Sequence, residues 1–148
     1  MALGKNDAMN SENATYTGFE FEVEGYPALA IINTDLKDLE NKARWAYSVF
    51  IEIVPDAINE NGHPTEEEYD YLNEMEKQII EYLETQTGSV HVGHTTVYRA
   101  RQIIFYAKER EQVESFLDHF LTTIGRESSF EIESDPEWEH VAAFYDLL

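Results

Sequence analysis

The histidines are the side chains of this sequence best suited to metal binding or acid–base chemistry. There are five, and none belongs to a known metal-binding spacing such as H-E-x-x-H. His91 and His94 lie three residues apart in a predicted strand, so we expect their side chains on opposite faces of the sheet. His119 has Ser115, not a second ligand, one helical turn before it. The sequence therefore predicts no metal site, and histidines that are solvated or hydrogen-bonded.

Nucleophilic catalysis and phosphate binding also lack a signature. The chain has no cysteine and no G-x-S-x-G motif, and Ser48 falls inside a predicted strand rather than at a strand-to-helix turn. The seven glycines are dispersed, so no phosphate-binding loop is formed and no nucleotide cofactor is expected. Carboxylate pairs arise by chance among so many acids. These observations favour a non-catalytic protein without a cofactor, with an enzyme as the alternative.

Negative charge dominates the composition. Asp and Glu number 30 against 10 Lys and Arg, which gives a formal net charge of −20. Such a protein repels phosphate backbones and anionic lipid headgroups, so we expect no direct binding to nucleic acid or membranes. No apolar run approaches the roughly 20 residues of a membrane span, and the polar start lacks a signal peptide's apolar segment. A cytoplasmic location is therefore predicted.

Three features are candidate interaction sites. Acids cluster where a helix is predicted to begin, forming either a solvated face or a docking surface for a basic protein: Glu66, Glu67, Glu68 and Asp70. Arg101 opens an apolar strand and either pairs with a nearby acid or clamps an anion or carboxylate beside Tyr106. Trp138 follows the capping motif Asp135-Pro136-Glu137, and it either packs on the sheet or anchors a partner.

Hydrophobic periodicity assigns the elements that position these residues. Residues 1–16 are polar and aperiodic and are predicted to be a disordered tail, and residues 17–148 a single α+β domain. Residues 45–54 are apolar on both faces, which is typical of a central strand. Thr65 and Glu68 form a capping box for a helix that ends at Gly88. The other predicted strands are residues 19–24, 28–32, 90–97, 102–107 and 129–133, and the other helices are residues 113–124 and 138–148.

The order of these elements predicts a fold. From residue 45 onward it reads strand, helix, strand, strand, helix, strand, which is the split βαβ, or ferredoxin-like, pattern. The strands at 19–24 and 28–32 form an N-terminal β-hairpin that extends the sheet, and the last helix covers an edge or an end. We therefore expect an α+β protein with a ferredoxin-like sheet, an N-terminal β-hairpin and a C-terminal helix.

Short motifs follow one another in a characteristic order over residues 18–148. They are Trp45, Tyr47, Gly88, Val92, Gly93, Thr96, Arg101, Phe105 and Tyr106, followed by Asp135, Pro136, Glu137, Trp138, Phe144 and Tyr145. Together they resemble the bacterial domain of unknown function (DUF) 695 family. That family has no established activity, so the resemblance implies no catalytic residues. Some relatives carry a domain similar to a protein regulator of an RNA-degrading endonuclease, which implies regulation through protein contact.

Two functions of different class follow. The main hypothesis is a non-catalytic interaction or regulatory domain that binds a basic protein, such as an RNA-processing enzyme, through its acidic or aromatic surface. The alternative is a small-molecule-binding domain or enzyme with a pocket near Arg101 and Tyr106. Pairing of sheets between copies of the chain would make a homo-oligomer and is a third hypothesis.

Overall fold

Residues 11–148 are described by a computed structural model, and they form six strands and three α-helices. The strands are β1 (Tyr16–Val23), β2 (Tyr26–Asn33), β3 (Tyr47–Val54), β4 (Val90–Val97), β5 (Ala100–Ala107) and β6 (Glu127–Ser134). The helices are α1 (Glu66–Thr87), α2 (Glu111–Phe120) and α3 (Ala142–Asp146). Short 3-10 turns lie at Ser11–Asn13, Thr34–Asp38, Lys42–Arg44 and Glu139–Val141. The predicted α+β class and the N-terminal β-hairpin are confirmed.

All six strands belong to one sheet with the order β1-β2-β4-β5-β3-β6. Each neighbouring pair is antiparallel. The strand β3 lies between β5 and β6, which confirms the interior position expected from its apolar faces. The edge strands β1 and β6 carry exposed acids, including Glu20, Glu22, Glu131 and Glu133. Charged side chains on an edge strand oppose pairing with a second sheet.

The two faces of the sheet have separate hydrophobic cores. The helices α1 and α2 cover one face through residues that include Leu72, Ile79, Leu83, Val113 and Leu117. The C-terminal segment and the Lys42–Arg44 turn cover the other face, where Trp45, Trp138, Val141 and Tyr145 are buried. Five residues of the last helix were predicted to be buried. Trp138, Val141 and Tyr145 are buried and Leu148 is partly buried, whereas Ala142 is exposed, and the α-helical part is only Ala142–Asp146.

Local backbone chemistry sets the limits of α1. The Thr65 hydroxyl accepts a hydrogen bond from the backbone N–H of Glu68, and Gly88 ends the helix in the left-handed conformation with φ 66°. The predicted capping box is only half formed. The carboxylate of Glu68 accepts from the backbone N–H of Asp56 and from Arg126 instead of returning to Thr65.

The sequence predicts a disordered tail over residues 1–16, of which residues 1–10 lie outside the described part of the chain. The described residues of this segment have regular structure. Ser11–Asn13 forms a 3-10 turn, and β1 already begins at Tyr16. Ser11 donates hydrogen bonds from its backbone N and its Oγ to the carboxylate of Glu84, both at 3.0 Å. Among residues 11–148, no helix is long and apolar enough to cross a membrane.

Candidate functional site

A β-bulge in β4 brings His91 and His94 to the same face of the sheet, so the predicted separation of the two side chains is wrong. The register of β4 with β5 shifts between His91 and Gly93, where an additional residue enters the strand. Gly93 has φ 147°, and a Cβ atom there would lie 1.9 Å from the carbonyl oxygen of Ile31. The additional residue reverses the alternation of side chains beyond it. Both imidazoles therefore point toward α1.

Glu76 of α1 joins the two histidines to Arg101. Its carboxylate lies 2.8 Å from Nε2 of His91 and 2.8 Å from Nδ1 of His94. Nη1 of Arg101 lies 3.1 Å from the same carboxylate and donates a second hydrogen bond to the side chain of Asn73 at 2.8 Å. The side chain of Glu76 is only 6% exposed. These four residues, Glu76, His91, His94 and Arg101, form a buried charge cluster, which we call the Glu76 cluster.

The hydrogen bonds assign a tautomer to each histidine. An ionised carboxylate only accepts hydrogen bonds, so His91 donates from Nε2 and His94 donates from Nδ1. The other nitrogen of His91, Nδ1, accepts from the hydroxyl of Tyr16 at 2.7 Å. The opposite nitrogen of His94, Nε2, has no hydrogen-bond partner among the described residues. A carboxylate that orients an imidazole in this way leaves Nε2 available, as an acceptor in the neutral ring and as a donor in the imidazolium.

The charge of Glu76 is stabilised by its neighbours. Burial by itself would raise the pKa of the Glu76 carboxyl, but the hydrogen bonds from His91 and His94 lower that pKa below its usual range. Burial raises the pKa of the Tyr16 hydroxyl, which therefore remains a hydrogen-bond donor. Burial also lowers the pKa of Arg101, and the charge of Glu76 opposes this effect. The cluster is thus an ionised carboxylate surrounded by donors.

Arg101 is buried inside the protein and incompletely paired. Its side chain is 0% exposed. It has the acidic partner that the first sequence interpretation predicted, yet Nε and Nη2 have no hydrogen-bond partner among residues 11–148. The ring centroid of Tyr69, a residue of α1, lies 5.3 Å from its guanidinium carbon. Leaving two buried donors unpaired costs free energy.

The structure does not bring Arg101 and Tyr106 together, so the proposed pocket between them is wrong. They are five residues apart in β5, and side chains alternate along a strand, so they lie on opposite faces. Tyr106 donates a hydrogen bond to Asp135 at 2.5 Å and stacks on the indole of Trp138 with centroids 4.1 Å apart. The predicted clamp beside Tyr106 is therefore absent from the described part of the chain.

Trp138 is a core residue and not an exposed anchor. It is 3% exposed, and its indole Nε1 donates to the carbonyl oxygens of Lys42 and Trp45 at 3.1 and 3.0 Å. The interpretation that it packs against the sheet is thus correct.

A serine, a histidine and an aspartate also meet on this face, but not as a catalytic triad. The Oγ of Ser48 lies 3.0 Å from Nδ1 of His140, and Oδ2 of Asp135 lies 3.4 Å from the same nitrogen. In a triad the serine and the aspartate contact different ring nitrogens. His140 therefore cannot relay a proton from Ser48 toward Asp135 in this arrangement.

The acidic candidates at the start of α1 divide into two groups. Glu66, Glu67 and Asp70 are exposed. Glu68 is 7% exposed and forms a two-point ion pair with Arg126, whose Nε and Nη2 donate at 2.8 and 2.7 Å. The hydrogen bonds from Arg126 lower the pKa of the Glu68 carboxyl. Glu68 is therefore a structural residue and does not belong to an exposed docking surface.

A cleft of about 570 Å³ lies beside the Glu76 cluster. One wall is α1, and the sheet and the Ser11–Asn13 turn supply the others. His94 and Tyr16 contribute polar groups, Ile31 and Ile80 apolar surface, and Glu84 a carboxylate. The side chain of His94 is 13% exposed, so part of its ring reaches the cleft.

Sequence reasoning did not select Glu76 or Tyr16, although one signal was available for Glu76. It follows Leu72 by four residues and precedes Ile79 by three, which places a carboxylate on the apolar face of α1. A charged residue at such a position is seldom buried without a partner. Arg101, which is in β5, is that partner.

The fold and this site define a mixed α+β protein with a six-stranded antiparallel sheet and a buried charge cluster beside a cleft. Residues 16–145 match the family model of DUF695, a family of unknown function, and the chain belongs to that family. The resemblance expected from its short motifs is confirmed. Searches found no match among curated proteins and none among solved structures.

Proposed function

We propose that this protein binds a small organic molecule in the cleft beside the Glu76 cluster. The observation that carries the proposal is the largely buried imidazole of His94, which is hydrogen-bonded to Glu76 through Nδ1 and belongs to the wall of a cleft large enough for such a molecule. A small number of oriented polar groups on an otherwise apolar wall is typical of ligand sites. Because Glu76 holds the ring of His94, little side-chain entropy is lost when a ligand binds there.

The walls of the cleft indicate which ligand groups would be accepted. In the neutral ring, Nε2 of His94 is an acceptor and suits a hydroxyl or amine donor of the ligand. Ile31 and Ile80 suit a short apolar body. Glu84 is accessible from the cleft, although burial raises the pKa of its carboxyl, and it already accepts from Ser11. This arrangement supports a compact molecule with polar groups at its ends.

A ligand screen with a matched histidine control tests the proposal. Small metabolites are screened by thermal shift, and the compounds that stabilise the protein are titrated by calorimetry. We expect His94→Gln to weaken the binding of a true cleft ligand by about tenfold or more, which corresponds to about 1.4 kcal/mol. His119→Gln is the control because His119 is an exposed residue of α2 away from the cleft. Equal affinities for the two variants and the wild type would contradict binding in the cleft.

A second candidate function is docking of a basic protein, for which an RNA-processing enzyme is one example. It is supported by the side chains of Glu66, Glu67 and Asp70, which are exposed and form no ion pair among the described residues. Electrostatic attraction by such a surface accelerates association at low salt. The interaction would account for part of the net charge of −20.

Association kinetics at several salt concentrations distinguish this candidate from ligand binding. A basic protein captured at low salt is measured against the wild type and the triple variant Glu66→Gln, Glu67→Gln, Asp70→Asn. We expect the triple variant to associate more slowly than the wild type, and the association rate of the wild type to fall steeply with added salt. Neutralising Glu131 and Glu133 on the edge strand β6 removes charge at another place and serves as the control. Association that is indifferent to salt would refute the docking surface.

The arrangement of β3 to β6 supports a ferredoxin-like unit as the finer description of the fold. The order β4-β5-β3-β6 within the sheet, with antiparallel neighbours, is the order that a split βαβ pattern requires. An experimental structure that gives the handedness of the β3-α1-β4 crossover tests it, because a left-handed crossover would contradict this assignment. A cytoplasmic location stays a prediction from the sequence.

A further inference from the structure

The guanidinium of Arg101 has two neighbouring donor nitrogens without a hydrogen-bond partner in the described part of the chain. Nη1 donates to Glu76 and Asn73, whereas Nε and Nη2 are buried and unpaired there. These two nitrogens lie side by side on one edge of the planar group, and their N–H bonds are parallel. That edge matches the two oxygens of a carboxylate.

The same edge of a second arginine shows what it binds in this protein. Nε and Nη2 of Arg126 donate to the two carboxylate oxygens of Glu68, at 2.8 and 2.7 Å. The ring centroid of Tyr71, on α1, lies 4.3 Å from the guanidinium carbon of Arg126. Arg101 has the corresponding tyrosine, Tyr69, two residues earlier on the same helix, but none of the carboxylates of residues 11–148 binds its Nε–Nη2 edge.

We propose that the free Nε–Nη2 edge of Arg101 binds the carboxylate group of a small molecule when the side chain of Tyr69 moves aside. This inference names a chemical group of the cleft ligand and rests on the function proposed above. Tyr69 is 46% exposed, so a change of its side-chain rotamer needs no repacking of the core. Both groups that hold Nη1, Asn73 and Glu76, line the cleft, so Arg101 is next to the cleft through them although it is not itself a lining residue.

Binding satisfies two donors that are otherwise unpaired. A buried donor without a partner carries a desolvation penalty, and a carboxylate at this edge removes it for both nitrogens in one step. Two parallel charge-assisted hydrogen bonds suit a group with two adjacent oxygens, which carboxylate and phosphate both have. A carboxylate carries a single negative charge, so its burial costs less desolvation free energy, and it is expected to bind more tightly than inorganic phosphate.

Nuclear magnetic resonance of the arginine Nε–H groups measures binding at Nε of Arg101. The wild-type protein is titrated with acetate and benzoate, and then with inorganic phosphate as the alternative oxyanion. We expect a saturable shift of the Arg101 signal and no shift of the Arg126 signal, because Glu68 already occupies the edge of Arg126. The Arg126 signal is identified by its loss in Arg126→Lys. Equal shifts of both signals, or a stronger response to phosphate, would overturn the proposal.

Substitutions of Tyr69 test the movement of the side chain. We expect Tyr69→Ala to tighten acetate binding roughly fivefold, because apparent affinity is reduced by the fraction of molecules in the closed conformation. Tyr26→Ala is the control, since Tyr26 is similarly exposed but stacks on Tyr98. Arg101→Lys keeps the charge opposite Glu76 without the two-donor edge, so it is expected to remain folded and lose binding. An Arg101 signal that is unmoved in both the wild type and Tyr69→Ala would refute the inference.

The two proposals can fail separately. A ligand whose affinity depends on His94 but which leaves the Arg101 signal unmoved would refute the carboxylate site and retain the cleft function. Carboxylates that move the Arg101 signal equally in the wild type and in His94→Gln, with no cleft ligand found, would retain the edge site and refute the cleft function.

Discussion

Replacing Glu76 with glutamine tests how much the Glu76 cluster contributes to stability. The substitution keeps the size of the side chain but removes the negative charge that lies 3.1 Å from Arg101. It also places an amide NH2 group beside His91 and His94, which now donate hydrogen bonds to the carboxylate. Removing one member of a buried ion pair costs about 3 to 5 kcal/mol, because the other charge stays buried. We expect Glu76→Gln to lower the free energy of unfolding by about 3 kcal/mol.

Urea denaturation followed by tryptophan fluorescence measures this loss. Trp45 and Trp138 are each 3% exposed, so unfolding changes the surroundings of both indoles. With a urea m-value of about 2 kcal/mol per M, the midpoint falls by roughly 1.5 M. Glu74→Gln is the matched control on the same helix, because Glu74 is exposed and has no ion pair among the described residues. We expect that control to change the unfolding free energy by less than about 0.5 kcal/mol.

The dependence on pH provides a second readout of the same charge. The pKa of Glu76 is lower in the folded protein than its ordinary value of 4.5 in the unfolded chain. Its stabilising contribution is therefore fully present above that value and is lost as the pH falls below it toward the folded pKa. The wild type should lose more stability on acidification than Glu76→Gln does. A loss below about 1 kcal/mol at neutral pH, or equal acid sensitivity of the two proteins, would refute this account of the cluster.

Two further predictions concern the bulge and the opposite face of the sheet. Gly93→Ala should lower the unfolding free energy by more than about 2 kcal/mol, since its Cβ would meet the carbonyl oxygen of Ile31. Gly25→Ala, where φ is also positive but no atom lies within 4 Å, should cost less, and thermal melts compare the two. Tyr106→Phe should cost about 1 to 3 kcal/mol in urea because Asp135 stays buried without its hydroxyl donor. A cost as small as that of an exposed Tyr→Phe change would contradict this role.

Structural features that are determined by residues close together in the sequence were predictable. Thr65 and Gly88 limit α1 through their own backbone and side-chain chemistry, and both were identified correctly. The interior position of β3 followed from apolar residues on both of its faces. Its start was predicted two residues too early, because Trp45 belongs to the end of the Lys42–Arg44 turn and its indole Nε1 donates to the carbonyl oxygen of Gly88.

The candidate site was predictable only in part, because it depends on contacts between distant segments. A period of two places His91 and His94 on opposite faces, and only the pairing of β4 with β2 and β5 shows that the strand contains an additional residue. The separation of Arg101 from Tyr106 needed no structure, since five positions in one strand end on opposite faces. Glu76 required both the sequence and the structure. Its spacing on α1 indicates a buried position, but only the structure identifies Arg101 as its partner.

The bulge in β4 explains why fold and site depend on the same residue. An antiparallel pair without a bulge would leave only one of the two histidines facing α1, and Glu76 would then have one imidazole and one guanidinium as donors. The bulge adds the second imidazole, and the residue that carries it, His94, lines the cleft. Gly93 makes this possible because the carbonyl oxygen of Ile31 occupies the space of a side chain. The same bulge places His94 both beside the buried charge of Glu76 and in the wall of the cleft, so the cleft is the part of this molecule in which a ligand should be sought.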